Sequence, residues 1–333
     1  MNIFLNDYND LCHERVLKKI SEIKIKGTPG YGYDDYSLRA KEYIRRDLNR
    51  DVEIQFVGGG TMANIIAVTS NLMPYEGIIS AKTGHINAHE AGSIEACGKK
   101  LETIDSDDGK LNPSLIENKI RDLTEEHTVL PKLIYLSQTT ELGTVYTYKE
   151  IKEIYDLCLD YGIYLYIDGA RMAVGLAASD IKVSQLPELC DIFTLGGTKN
   201  GAMYGEALVV VADDLMDGLR RYMKQRGAVM AKGFILGAQF EALFEDGLYY
   251  DLGQKAYESG RHLAKKLKEA GVKFYKKPES NQIFIIYPEA KIEKLRENSS
   301  FEVSNYNKDE KIIRFVTSYR SERSEIDDLV KHI

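Results

Sequence analysis

The chain has 333 residues, 44% of them apolar, with 44 Lys plus Arg against 51 Asp plus Glu and a formal net charge of −7. That length holds one large domain and one smaller one, and that apolar share excludes disorder as the dominant state. The acidic balance speaks against a general binder of nucleic acid or anionic membrane, because phosphate neutralisation needs clustered cations.

No stretch reaches the roughly 20 consecutive apolar residues of a membrane-spanning helix. The start, Met1-Asn2-Ile3-Phe4-Leu5-Asn6-Asp7, has no basic region followed by an apolar run, so no secretory leader is expected. Cys12, Cys97, Cys158 and Cys190 stand at neither metal nor redox spacing. The expected setting is the cytoplasm.

Periodicity predicts helices over residues 11–24 and 37–48, separated by the loop Gly27-Thr28-Pro29-Gly30-Tyr31-Gly32-Tyr33. Strands and helices then alternate. Strands are expected at 53–57, 77–81, 101–104, 133–137, 163–167, 192–195 and 207–211, with helices at 62–71, 113–124 and 149–161 between them. Gly162 suits a left-handed C-cap. Short apolar strands in this alternation predict an α/β fold with a mainly parallel sheet covered by helices on both faces. Helices are expected at 213–225, 231–244 and 252–270, then strands near 283–287 and 311–317 and a final helix from residue 324. This divides the chain into a large domain, 1–245, and a small α+β domain, 246–333, joined by a continuous helix. Residues 1–50 pack with the small domain or with a partner subunit.

Gly58-Gly59-Gly60-Thr61 lies between a strand and a helix, where backbone N–H groups and a helix N-terminus can hold an anion; the competing reading is a plain turn with a Thr cap. Asp168-Gly169-Ala170-Arg171 follows an apolar strand, at the edge where open α/β sheets bind ligands; the bland reading is a capping Asp and a surface Arg. Lys199, in Gly196-Gly197-Thr198-Lys199-Asn200-Gly201, is available for a Schiff base if burial lowers its pKa, whereas most lysines are solvated. His85 follows another strand and could stack on a flat cofactor or act as a base. His85 and His89 are four apart, but no third ligand stands at convincing spacing, and no metal is expected. An anion site, a ring partner, a carboxylate and a strand-end lysine in this order are what pyridoxal phosphate asks of a protein.

On these residues the sequence resembles the threonine aldolases, within the β-eliminating lyases of the fold-type I pyridoxal-phosphate enzymes. The resembling stretches are Gly60-Thr61-Met62-Ala63-Asn64, His85-Ile86 with Glu90-Ala91-Gly92, residues 140–146 (Thr-Glu-Leu-Gly-Thr-Val-Tyr), Asp168-Gly169-Ala170-Arg171, Gly197-Thr198-Lys199-Asn200-Gly201 and Arg314-Phe315-Val316-Thr317-Ser318. The resemblance implies a fold-type I transferase-like architecture and cleavage of L-threonine, L-allo-threonine or related β-hydroxy-α-amino acids to glycine and an aldehyde. It implies that Lys199 holds the cofactor covalently, Asp168 pairs with the pyridine nitrogen, and His85 stacks on the ring. Gly60, Thr61 and Met62 would hold the phosphate. Arg171 would contact the cofactor's phenolic oxygen or the substrate carboxylate, and Arg314 would bind that carboxylate. Asn6 stands where many relatives have a serine that helps bind it. Tyr31 would approach a neighbouring subunit's site in a homotetramer built from dimers. Glu141 stands where many relatives have a histidine near the substrate hydroxyl, and Phe234 where many have an arginine. The rival readings are another fold-type I lyase or an aminotransferase and, in a different class, a catalytically silent scaffold oligomer.

Overall fold

The computed structural model describes residues 2–333. A short strand β1 (Asn2–Ile3) leads to helices α1 (Glu14–Ser21) and α2 (Asp35–Leu48). His13 caps α1, where a longer helix from residue 11 is expected, and α1 ends at Ser21. Asp34 caps α2 by accepting the Ser37 N–H at 2.8 Å. Next come β2 (Glu53–Val57), α3 (Gly60–Thr69), β3 (Glu76–Ala81), the single turn α4 (His85–Ala88), β4 (Lys100–Ile104) and α5 (Pro113–Asp122). These are followed by β5 (Leu130–Ser137), α6 (Tyr148–Tyr161), β6 (Tyr164–Asp168), α7 (Met172–Ala178), β7 (Ile192–Gly196) and β8 (Glu206–Val210). Thr147 and Glu150 form a reciprocal capping box on α6, and Gly162 closes it with φ +64°.

The seven strands of the large sheet run β2-β8-β7-β6-β5-β3-β4. Strands β3 to β7 pair in parallel, and β8 runs antiparallel to both β7 and β2. The central strands β3, β7 and β8 are buried along their whole length, as expected where helices cover both faces. One core cluster joins α2, α6, the sheet and the helices that follow; another packs α3 on the opposite face.

Helices α8 (Leu219–Gln225), α9 (Phe234–Phe244) and α10 (Leu248–Glu269) follow. The helix expected over 213–225 is broken, because Gly218 takes a left-handed φ of +70° at the start of α8. The helix expected to run unbroken past residue 245 is interrupted too: Gly247, at φ +74°, turns the chain between α9 and α10. α10 then serves two cores. Leu248, Tyr249 and Leu252 lie in the core of the large sheet, and Leu263 and Leu267 in the core of the small one.

The small sheet has the order β12-β13-β10-β9, formed by β9 (Lys273–Phe274), β10 (Gln282–Pro288), β12 (Glu302–Asn305) and β13 (Glu310–Val316). Between them lie α11 (Ile292–Arg296) and β11 (Ser299–Ser300), and α12 (Arg323–Lys331) ends the chain. β1 pairs in parallel with β11, and Phe4 is buried in the small core against Phe315. The first residues therefore belong with the small sheet, whereas Ala40, Ile44 and Leu48 of α2 are part of the large core.

Candidate active site

Gly60, Thr61, Met62, His85, Glu141, Asp168, Arg171 and Lys199 lie at one edge of the large sheet, where β2, β3, β5, β6 and β7 end and the antiparallel β8 begins. Two loops there are joined backbone to backbone. The Gly196 N–H donates to the Gly169 carbonyl at 3.0 Å, and the Gly169 N–H donates to Thr194 Oγ at 2.7 Å. A Cβ on Gly169 would stand 2.0 Å from the Thr194 carbonyl oxygen, and one on Gly196 would stand 2.5 Å from that of Ala170. Only glycine fits this approach, which brings the Asp168 loop and the Lys199 loop together.

Asp168 is buried at the end of β6. Its Oδ2 accepts from the Tyr135 hydroxyl at 2.6 Å and from Asn64 Nδ2 at 3.0 Å, and its Oδ1 accepts from the Ala170 N–H at 3.0 Å. Asn64 donates also to Glu90 Oε1 at 2.6 Å and accepts from the Tyr166 hydroxyl at 2.6 Å. Glu90 Oε1 takes His85 Nδ1 at 2.9 Å, and Glu90 Oε2 takes the Ser93 hydroxyl at 2.7 Å. A continuous hydrogen-bonded chain thus runs from His85 through Glu90 and Asn64 to Asp168. The carboxylate places the imidazole proton on Nδ1 and leaves Nε2 free. Glu90 is occupied on both oxygens and orients His85. Burial would lower the His85 pKa, but the Glu90 bond and the charges of Glu141 and Asp168 outweigh it and raise the value.

Lys199 makes no hydrogen bond or ion pair among the described residues; its Nζ lies 5.9 Å from the centre of the Tyr8 ring. Burial and the nearby Arg171 push its pKa down, against the fields of Asp7, Glu141 and Asp168. A larger share of free amine is what attack on a carbonyl requires.

Arg171 is buried and held in a two-point pair: Nε donates to Asp7 Oδ2 at 2.7 Å and Nη2 to Asp7 Oδ1 at 3.0 Å. Asn281 Nδ2, just before β10, donates to the same carboxylate at 3.0 Å. Burial raises the Asp7 pKa, but Arg171 and Lys199 together bring it below the ordinary value. Asn6 lies beside this pair, its Oδ1 accepting from the Tyr8 N–H at 3.0 Å.

Arg314 lies on β13 opposite Phe284 of β10 and Glu302 of β12. Alternation puts it on the same sheet face as Gln282, whose Nε2 donates to the Thr140 carbonyl at 3.1 Å. That face is turned to the loop carrying Glu141. Arg314 pairs with Glu302, while its Nε is buried without a hydrogen-bond partner. Tyr31, half-exposed at φ +62°, contacts Arg220, Lys224 and Ala231 rather than the groups around Lys199. The His85 and His89 ring centres are 5.5 Å apart, and no group of three His, Cys, Asp or Glu stands together as a metal site among the described residues.

Sequence reasoning missed Asp7, Asn64, Tyr135, Tyr166 and Tyr8. Tyr135 and Tyr166 looked like members of apolar strands. A signal was present: Tyr166 shares a strand face with Asp168, two residues on, and Tyr135 is its partner across β5 and β6.

The residues fit pyridoxal phosphate. A Cβ on Gly58, Gly59 or Gly60 would meet nothing within 4 Å, so this loop opens onto free space at the start of α3, whose N-cap glycine offers no side-chain cap. Unpaired N–H groups of a helix N-terminus suit a phosphate. A desolvated lysine, a buried carboxylate and an oriented imidazole share the same edge.

A β-eliminating lyase family model matches residues 17–290. The chain belongs to that family, in its threonine aldolase branch. It is 30% identical to the low specificity L-threonine aldolase of Pseudomonas aeruginosa over 296 residues, 87% of this chain and 85% of that one. The Leishmania major threonine aldolase structure superposes with a TM-score of 0.97 at 37% identity, covering 99% of this chain and 98% of its own. A serine palmitoyltransferase structure with pyridoxal phosphate superposes with a TM-score of 0.74 at 11% identity, over 99% of this chain and 85% of its own, and shares the fold alone. Like other members of this lyase family, the chain is a pyridoxal-phosphate enzyme of fold type I.

Proposed function

We propose that this β-eliminating lyase cleaves L-threonine, L-allo-threonine and related β-hydroxy-α-amino acids to glycine and an aldehyde, with Lys199, Asp168 and His85 as its catalytic residues. The observation that carries the reading is the meeting, at one sheet edge, of an unpaired lysine of lowered proton affinity, a buried Asp168 and a His85 held by Glu90. Pyridoxal phosphate, when bound, accepts the electron pair left at Cα as the Cα–Cβ bond breaks.

Gly60, Thr61 and Met62 would hold its phosphate at the start of α3, and Lys199 would hold it covalently. Asp168 would keep a proton on the pyridine nitrogen, and His85 would stack on the ring. Arg171 reaches the phenolic oxygen or the substrate carboxylate, and Arg314 and Asn6 hold that carboxylate. His85 Nε2 is free to take the β-hydroxyl proton. Glu141, whose charge is felt by His85, Arg171 and Lys199, is the second candidate for that proton. The Lys199 ammonium would donate a proton to Cα in place of the lost Cβ, and the proton taken from the β-hydroxyl restores the balance.

The direct test is product analysis with L-threonine, L-allo-threonine and L-phenylserine: equal amounts of glycine and aldehyde are expected. Pyruvate with ammonia, or a keto acid, would instead identify an eliminating lyase or an aminotransferase. Absence of any turnover by the cofactor-loaded protein would leave the silent scaffold.

Arg314→Lys is expected to raise the threonine KM at least about tenfold, because a point charge cannot reproduce a planar two-point grip worth about 1.5–3 kcal/mol. Cofactor absorbance should stay as in the parent. Steady-state kinetics check this, and an unchanged KM removes Arg314 from the carboxylate site. The partnerless Nε supports this role, and the Glu302 pair is half-exposed and open to exchange.

We also propose a homotetramer in the cytoplasm, with Tyr31 near a neighbouring subunit's site. Leu11, Ile25, Tyr31, Tyr33 and Leu38 are exposed along one N-terminal segment, Ile25 by 99% and Tyr33 by 64%, which supports a subunit contact there. All four cysteines are free thiols, which accords with a reducing compartment. No helix among the described residues is long and apolar enough to cross a membrane.

A further inference from the structure

A buried carboxyl group that none of the roles above uses sits directly beneath the lysine loop. Glu206, the first residue of β8, is 5% exposed and pairs through its backbone with Gly196 on one side and Val57 on the other. Its Oε2 accepts the Gly197 N–H at 2.8 Å, and its Oε1 accepts the Thr198 hydroxyl at 2.8 Å. The same hydroxyl accepts the Gly205 N–H at 2.9 Å. The two residues immediately before Lys199 are thus both tied to one side chain.

An amide could accept the Gly197 N–H on its oxygen and donate to a turned Thr198 hydroxyl without the cost of burying a charge, so a carboxyl group calls for a further reason. The charged and titratable groups near it are Lys199 on its own loop, Asp168 at the end of β6, Tyr166 within β6 and Tyr249 on α10. Lys199 is the one cation in this set. We propose that Glu206 is a positioning residue that acts through Lys199: its carboxyl group fixes the loop carrying the lysine, and its negative charge sets how readily the amine gives up its proton. This rests on Lys199 being the residue that holds pyridoxal phosphate.

Burial pushes the Glu206 pKa up to about 7, against the bonds from Thr198 and Gly197 and the field of Lys199. A raised carboxyl pKa means that Glu206 is neutral below this value and charged above it. In its charged form Glu206 favours the ammonium form of Lys199.

The test follows covalent capture of pyridoxal phosphate by the apoprotein. Near-visible absorbance gives the rate across pH, and borohydride reduction with peptide mapping gives the site. In the parent the rate should climb with pH as Lys199 deprotonates. In Glu206→Gln, whose oxygen still accepts the Gly197 N–H and whose N–H can donate to a turned Thr198 hydroxyl, the charge is gone and the climb should move to lower pH by about half a unit, with the plateau within about twofold. Glu206→Asp keeps the charge but shortens the reach, so its plateau should fall several-fold while its midpoint stays, and it covers the case in which the Gln variant does not fold. A Gln profile that superimposes on the parent, or an Asp midpoint displaced to lower pH as by loss of the charge, overturns the proposal alone. No capture by the parent, or capture that survives Lys199→Ala, overturns the lysine assignment together with it.

Discussion

Replacement of Lys199 by alanine is expected to lower turnover of threonine by more than about 10³-fold, since it removes both the covalent holder and a proton-transfer group. It should do so without unfolding the protein. Among the described residues Lys199 makes no hydrogen bond or ion pair that the fold would lose, and its pKa is pushed down by burial and by Arg171. A lysine with a lowered folded-state pKa binds fewer protons folded than unfolded. It therefore costs stability at neutral pH, and the cost fades as the pH rises through the range between the two values. The apo Lys199→Ala variant should melt at or above the parent at neutral pH, and that margin should shrink in alkaline buffer. Thermal melts at the two pH values, beside borohydride labelling of the parent, check both halves. A variant that melts well below the parent, or labelling on another lysine, contradicts the role given to Lys199.

The second large effect is expected from Asp168→Asn, with kcat falling by about 10²–10³, the range found when one preorganised electrostatic partner is removed. The cause is double. The neutral amide no longer favours a proton on the pyridine nitrogen. It also presents an N–H group where Tyr135 and Asn64 already donate, so one donor in a buried network must turn away or lose its partner. The disturbance should pass through Asn64 and Glu90 to His85, moving the pH dependence of kcat as well as its height. Parent-like kcat with threonine would rule out the assignment.

The strand-end groups were legible because an open α/β sheet has one chemical edge, and a residue just past an apolar strand must lie on it. Asp168, Lys199, His85 and the Gly58-Gly59-Gly60 loop were found in that way. The family resemblance supplied Arg314 and Asn6, which no local pattern marks. Asp7 was not legible: it precedes every periodic segment, and its partner Arg171 stands 164 positions away. Glu206 was hidden because it stands just before the strand expected at 207–211, where a glutamate reads as a solvated end, whereas it is the first, buried residue of β8. The breaks at Gly218 and Gly247 were hidden because apolar periodicity continues across them.

The joining of both chain halves at Asp7 bears on how the site comes into being. Residues 2–7 are synthesised before the segments that place them. β1 needs β11, Phe4 needs Phe315, and Asp7 needs Arg171 and then Asn281. Contacts of such long sequence separation form late, because loop closure must precede them. The grip of Asp7 on Arg171 is therefore completed only after Asn281 and the strand that follows it have been made.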